Sequence, residues 1–157
     1  MKVLVATEGS KFSKAAIDKC CSILSPSTDA YLRIVAASEL AVVPAEPFAL
    51  SADYIREIDE DSRRRAEEVV ANAEQEIRKR LPEIGSRLTT TVTSGAPAQV
   101  IVHEAENWGA DLIVVGSHGY GFWQRALLGS VSNAVVHHAP CSVLVVRGNE
   151  TANGTNN

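Results

Sequence analysis

The chain has 157 residues, 45% of them hydrophobic and 22% charged, with a formal net charge of −4. That length predicts one domain that buries a core without a disulfide or metal staple, and the composition excludes disorder over the whole chain. The mild acidity argues against nucleic acid as a partner, and no run of about 18 apolar residues is present to span a membrane.

Lys2 to Ala6 is a short apolar, β-branched run closed by the polar turn Thr7-Glu8-Gly9-Ser10, which reads as a buried strand. Ser10 or Ser13 caps the helix that follows, with Ala16, Cys20, Ile23 and Leu24 on its inner face and Ser25-Pro26 at its end. Tyr31 to Ala37 is a second strand. Pro44 and Pro47 interrupt residues 38–57, which are expected to form a long connection with little regular structure. Ala66, Val69, Val70, Ala73, Ile77 and Leu81 then recur at helical spacing, predicting an amphipathic helix from about Ile58 to Leu81. Arg63-Arg64-Arg65 lies among Glu60, Asp61, Glu67 and Glu68, so it reads as a solvated face rather than an anion site.

Arg87 to Thr93 is a Thr-rich third strand. Pro97 opens a helix whose buried stripe is Val100, Ile101, Ala105 and Trp108, with His103 on its surface, and Gly109 stops it. Asp111 to Val115 is a fourth strand. A glycine-rich turn from Gly116 to Ser130 leads into a helix from about Val131 to His138, and Ser142 to Val146 is the last strand. Gly148 to Asn157 is a polar tail expected to be disordered. Five strands alternating with four helices predict a doubly wound, mostly parallel α/β sheet. Ligands bind such sheets beyond the carboxyl ends of the strands, which singles out the turns after the first and fourth strands.

The segment Gly116-Ser117-His118-Gly119-Tyr120-Gly121, running on to Gly129-Ser130-Val131-Ser132, carries the most chemistry. Glycines let a backbone approach a ligand, and free N–H groups at a helix N-terminus attract phosphates. The same residues also serve a plain tight turn and a capped helix, and composition does not decide between the two. Other phosphate and redox motifs fail: no lysine follows Lys79, so a Walker loop is missing; Gly119-x-Gly121 continues to Gln124 rather than Gly; and no CxxC is present. A response-regulator receiver would need an acidic residue after the third strand, where Thr93-Ser94 stands.

Gly116-x2-Gly119-x9-Gly129-Ser130 resembles the nucleotide-binding motif of the universal stress proteins. The resemblance extends through Ala110-Asp111-Leu112-Ile113-Val114-Val115, His138-Ala139-Pro140-Cys141, the last strand and the opening Val3-Leu4-Val5-Ala6, covering residues 1–147 as one domain. It implies a Rossmann-like, five-stranded parallel sheet of order 3-2-1-4-5 and a homodimer. It also implies ATP, held by the backbone at Gly116, Gly119, Gly129 and Ser130 with the hydroxyls of Ser130 and Ser132, and flanked by Val115, His118 and Val131. The adenine contact after the second strand maps to about Ala36, with Val35 as the neighbouring choice. Ala6-Thr7-Glu8 corresponds to the first-strand turn, where Glu8 departs from the family's usual Asp. Ser142 stands where the family often has Pro.

Glu8 reaches one methylene further than Asp, so it displaces the ribose or points away from it. Mg²⁺ is expected to enter with the phosphates rather than in an all-protein cage. His118 reads as a ligand-lining residue, without a visible partner for base catalysis. No nucleophile or base is evident, so turnover is expected to be slow at most. An ATP-dependent switch in a stress response is the leading function; a slow ATP hydrolase and a nucleotide-free dimerisation module are the rivals. His137-His138 lies at a helix C-terminus, Cys20-Cys21 reads as core packing, Phe122 and Trp123 need cover, and Arg125 reaches phosphates or is solvated. The apolar strand Ser142–Val146 falls at a sheet edge, which invites pairing with a second copy. The odd cysteine count and the short, apolar N-terminus followed by Glu8 point to the cytoplasm; the sequons at Asn149 and Asn153 would matter only in a secreted chain.

Overall fold

The computed structural model describes residues 1–24, 29–39, 52–118 and 128–148. Its strands are β1 (Lys2–Ala6), β2 (Tyr31–Ser38), β3 (Leu88–Ser94), β4 (Leu112–Gly116) and β5 (Ser142–Val146). Its helices are α1 (Lys11–Ile23), α2 (Ala52–Arg80), α3 (Pro97–Trp108) and α4 (Ser130–His138), with a 3₁₀ segment at Pro82–Arg87. The strands form one parallel sheet in the order β3-β2-β1-β4-β5.

The central strand explains the apolar runs. β1 is flanked on both sides, with Val5 opposite Ile34 of β2 and Val114 of β4. Its alternate side chains enter two cores. Val3 and Val5 join Ala16, Ile17 and Cys20 of α1 and Ala66, Val70, Ala73 and Ile77 of α2. Leu4 and Ala6 join Val100, Ile101 and Ala105 of α3 and Val135 of α4. A strand covered on both faces has no polar side to present, so alternation disappears from its sequence.

Helix ends follow local signals. Ser10 is the cap of α1, its Oγ accepting from the Ser13 N–H at 3.2 Å. Pro97 occupies the first turn of α3, and Gly109 closes it with φ +67°. That is a left-handed conformation which costs glycine little.

Three expectations need correction. Residues 52–57 are the first turns of α2, not connection, and residues 40–51 lie outside the described residues. The helix extends beyond its buried stripe, which begins at Ala66, and its exposed turns carry ion pairs such as Arg63–Glu67 at 3.0 Å and Arg64–Asp61. The arginine triplet therefore lies on a solvated face. Ile23 is 41% exposed because it lies at the margin of the α1 stripe in the last turn; Ile17 is the buried residue instead. The 3₁₀ segment between α2 and β3 was not anticipated, and it turns on Gly85 with φ +50°. Ser25-Pro26 and the tail residues from Asn149 lie outside the described residues.

A side-chain clamp closes the amino end of the sheet. Arg33 of β2 bonds Glu104 of α3 at 2.6 Å and stacks over the Trp108 ring at 4.5 Å. Lys2 Nζ donates to the Trp108 carbonyl at 2.9 Å. No helix among the described residues is long and apolar enough to cross a membrane.

Candidate functional site

At the carboxyl end of the sheet, β1 continues toward β2 while β4 continues toward β5, so strand order reverses between β1 and β4. The turn after β1 is tied down by its own hydroxyls. The Thr7 N–H donates to the Val35 carbonyl at 3.0 Å. Thr7 Oγ1 donates to Ser13 Oγ at 3.2 Å, and the Gly9 N–H donates to both oxygens, at 3.3 and 3.2 Å. Ser13 Oγ in turn donates to the Ser10 carbonyl at 3.1 Å. Gly9 has φ +88°, which lets its N–H turn inward. Thr7, Ser10 and Ser13 are all buried, so these bonds satisfy groups removed from water. Glu8 is exposed, and its carboxylate accepts from the Ser10 hydroxyl.

The turn after β4 meets the start of α4. The Ser117 N–H donates to the Val146 carbonyl of β5 at 2.8 Å, and the Gly129 N–H donates to the Ser117 carbonyl at 2.8 Å. Ser132 Oγ donates to the same carbonyl at 2.9 Å. Gly129 caps α4 without a side-chain bond to the first turn. The first N–H groups of α4 therefore lack the hydroxyl or carboxylate that usually covers them, and a helix end of this kind favours an anion. A Cβ on Gly129 would come within 3.2 Å of His118 Cα and of the Ser117 carbonyl oxygen. His118 Nδ1 lies 3.1 Å from Ser117 Oγ, and its ring packs against Phe12 of α1 with centroids 5.3 Å apart.

The sheet thus brings to one end Ala6, Thr7, Glu8, Ala36, Val115, Gly116, His118, Gly129, Ser130, Val131 and Ser132. Gly119, Phe122, Trp123 and Arg125 lie outside the described residues. These residues do not all face the same way. Val115 and Val131 pack on the α3–α4 side, whereas Ala36 is buried with the α1–α2 side. Ala37, the next residue of β2, faces the α3–α4 side and is half-buried. Val35, the neighbouring choice on β2, is buried on that same side with Val115 and Val131, a parity fixed only once pairing is known. Sequence reasoning missed the Thr7–Ser13 hydroxyl cluster, for which the dense Thr/Ser content of residues 7–13 was the available signal.

The cysteines lie away from this end. Burial, with the neighbouring Cys21, pushes the Cys20 thiol up to about 12. Burial and the nearby Asp111 raise Cys141. A raised pKa suppresses thiolate, which weighs against a nucleophilic role for either. His103, His137 and His138 are exposed, and no group of three metal-ligating side chains occurs among the described residues.

Comparison with known proteins places this geometry in context. The model of the universal stress protein family matches residues 1–147. The universal stress protein YxiE of Bacillus subtilis is 32% identical over 150 residues, covering 93% of this chain and 98% of that protein. A universal stress protein A homologue of Coxiella burnetii is 48% identical over 79 residues, a match covering 46% of this chain and 53% of that protein. Among solved structures, the universal stress protein UspA of Lactobacillus plantarum superposes with a TM-score of 0.77 at 25% identity, over 94% of this chain and 97% of that one. A universal stress protein in complex with cAMP gives 0.62 at 27% identity, over 95% and 98%. An AMP-bound family member from Arabidopsis thaliana shares the fold, with a TM-score of 0.69 at 20% identity over 99% and 97%.

Proposed function

The chain belongs to the universal stress protein family, and from that premise we propose that it binds ATP at the crevice between β1 and β4 and acts as a nucleotide-dependent switch in a stress response. The observation that carries this reading is the start of α4. Gly129 leaves the first turn without a side-chain cap and lies against Ser117 and His118, where a Cβ would crowd the backbone. Phosphates fit that donor set, and bound phosphates would bring Mg²⁺ with them. The family members solved with cAMP and AMP support an adenine nucleotide. Backbone groups at Gly116, Gly119, Gly129 and Ser130 would hold the phosphates and ribose. Ser132 directs its hydroxyl proton to the Ser117 carbonyl, so it would contribute an acceptor oxygen rather than a donor.

Binding rather than turnover is the role proposed. The Glu8 carboxylate is engaged by the Ser10 hydroxyl, and the His118 ring lies beside Ser117 and Phe12, so neither is arranged to activate a water. The proposed setting is the cytoplasm. The proposed assembly is a homodimer through the open edge of β5, the outermost strand beside β4.

Calorimetric titration of the purified chain with ATP and Mg²⁺ tests the reading, alongside assay of nucleotide released on denaturation. Saturable binding, or released ATP, is the expected result. Saturation by cAMP or AMP with no response to ATP would move the ligand to an adenosine monophosphate. Silence toward all three from a folded dimer would leave a bare dimerisation module.

A further inference from the structure

Lys11, Lys14, Lys19 and Arg147 line a groove of about 750 Å³ between α1 and β5, with Leu144 and Val146 of the sheet as its floor. Three of the chain's five lysines converge here although the net charge is −4. Lys11 Nζ lies 5.1 Å over the Phe12 ring, and none of the four cations has a carboxylate partner among the described residues. Every other described arginine, and Lys79, has one. The groove's own acid, Asp18, is drawn to Arg80 of α2 at 2.5 Å.

The homodimer proposed above doubles this charge. α1 lies over β4, with β1 and β5 to either side. Antiparallel pairing of β5 with a second copy has its two-fold axis perpendicular to the sheet, so both α1 helices fall on one face. Three strand spacings then separate them, about 14 Å from axis to axis. The two grooves merge into one trough across the seam, and each copy contributes Lys11, Lys14, Lys19 and Arg147 to it. Like charges at that range repel, so the empty trough opposes the pairing that the open edge of β5 favours.

The trough selects its occupant by shape as well as charge. A helix needs about 8–10 Å to each helical neighbour, more than this spacing allows. An extended peptide laid on a sheet face would leave its own N–H and C=O groups unpaired, because β5 spends its backbone groups within the sheet. An oligophosphate has neither need, since its charged oxygens take their partners from ammonium and guanidinium groups. We propose that this trough binds a multivalent inorganic phosphate anion, shared between the α1 helices of both copies, and that its occupancy tightens the dimer. This inference rests on the homodimer reading, and it leaves the edge of β5 to the second copy.

The test follows dimer dissociation of the full chain by sedimentation at fixed ionic strength, with and without inorganic tripolyphosphate, and counts bound anions by calorimetry. One tripolyphosphate per dimer is expected, and at about 100 times its Kd it should tighten the dimer about 100-fold. Lys14→Gln with Lys19→Gln should weaken that binding at least about tenfold while tightening the anion-free dimer. Gly129→Val, at the start of α4, should keep the tripolyphosphate effect, which separates this trough from the nucleotide crevice. A chain that stays monomeric with and without the anion overturns the homodimer and this inference together. A dimer indifferent to tripolyphosphate overturns this inference alone. So does an effect that sodium chloride reproduces at equal ionic strength, that Gly129→Val abolishes, that the lysine pair leaves intact, or that a poly-glutamate peptide matches.

Discussion

The backbone of Phe12 fills the space that a side chain on Gly116 would need. A Cβ at Gly116 would lie 2.7 Å from the Phe12 carbonyl carbon and 2.8 Å from its oxygen. The first turn of α1 is thereby pressed against the end of β4, and Phe12 also contacts His118 and approaches Gly148. Gly116 serves packing as well as any ligand. Gly116→Ala should shift α1 and destabilise the fold by about 1–3 kcal/mol, the usual cost of overpacking. Thermal unfolding with and without nucleotide checks this: the loss should appear in the apo protein.

Gly129 differs in kind. Its φ is −61°, which any residue adopts, and an added Cβ meets its neighbours at 3.2 Å rather than 2.7 Å. Gly129→Val should therefore cost less stability than Gly116→Ala while placing methyl groups at the start of α4. The expected outcome is at least a tenfold loss of nucleotide affinity, equivalent to about 1.4 kcal/mol, with a smaller fall in apo melting temperature than Gly116→Ala produces. Equal affinity in this variant would show that the α4 terminus is not the phosphate site.

The Arg33 clamp predicts a purely structural effect. Arg33→Ala removes a half-buried ion pair and a cation–π stack on Trp108. It also leaves the partly buried Glu104 without its partner. A loss of about 1–3 kcal/mol is expected in denaturant unfolding. Adding Glu104→Gln should recover part of that loss, because the uncompensated carboxylate is then gone. Nucleotide affinity should not change, since the clamp lies at the amino end of the sheet.

Cys20 makes stability fall at alkaline pH. Burial, with the neighbouring Cys21, pushes its thiol up to about 12 in the folded chain, from an ordinary value of 9.0. The folded state therefore holds the proton longer. The stabilisation is fully present below the unfolded value and is lost as pH rises from there toward 12. Between pH 9 and 11 the group should cost about 2 kcal/mol. Cys20→Ala should flatten that part of the pH–stability profile, after subtracting its constant cavity cost. Equal slopes for the two proteins over this range would rule out the buried thiol as the cause.

Local signals determined much of the architecture. β1 and β5 lie where their apolar runs place them, and Pro97 and Gly109 bracket α3, because caps and strand runs act over a few residues. The turns after β1 and β4 were legible as candidate sites for the same reason. Their adjacency was not: it depends on the register of Val5 with Ile34 on one side and Val114 on the other, which only the assembled sheet fixes. Tertiary structure also decided that Ala36 faces α2 rather than α4, that Phe12 occupies the room beside Gly116, and that Arg33 finds Glu104, 71 residues along the chain. Each of these is a contact between segments distant in sequence. Such contacts reflect which faces meet when two cores close around one sheet, and no local propensity records that choice.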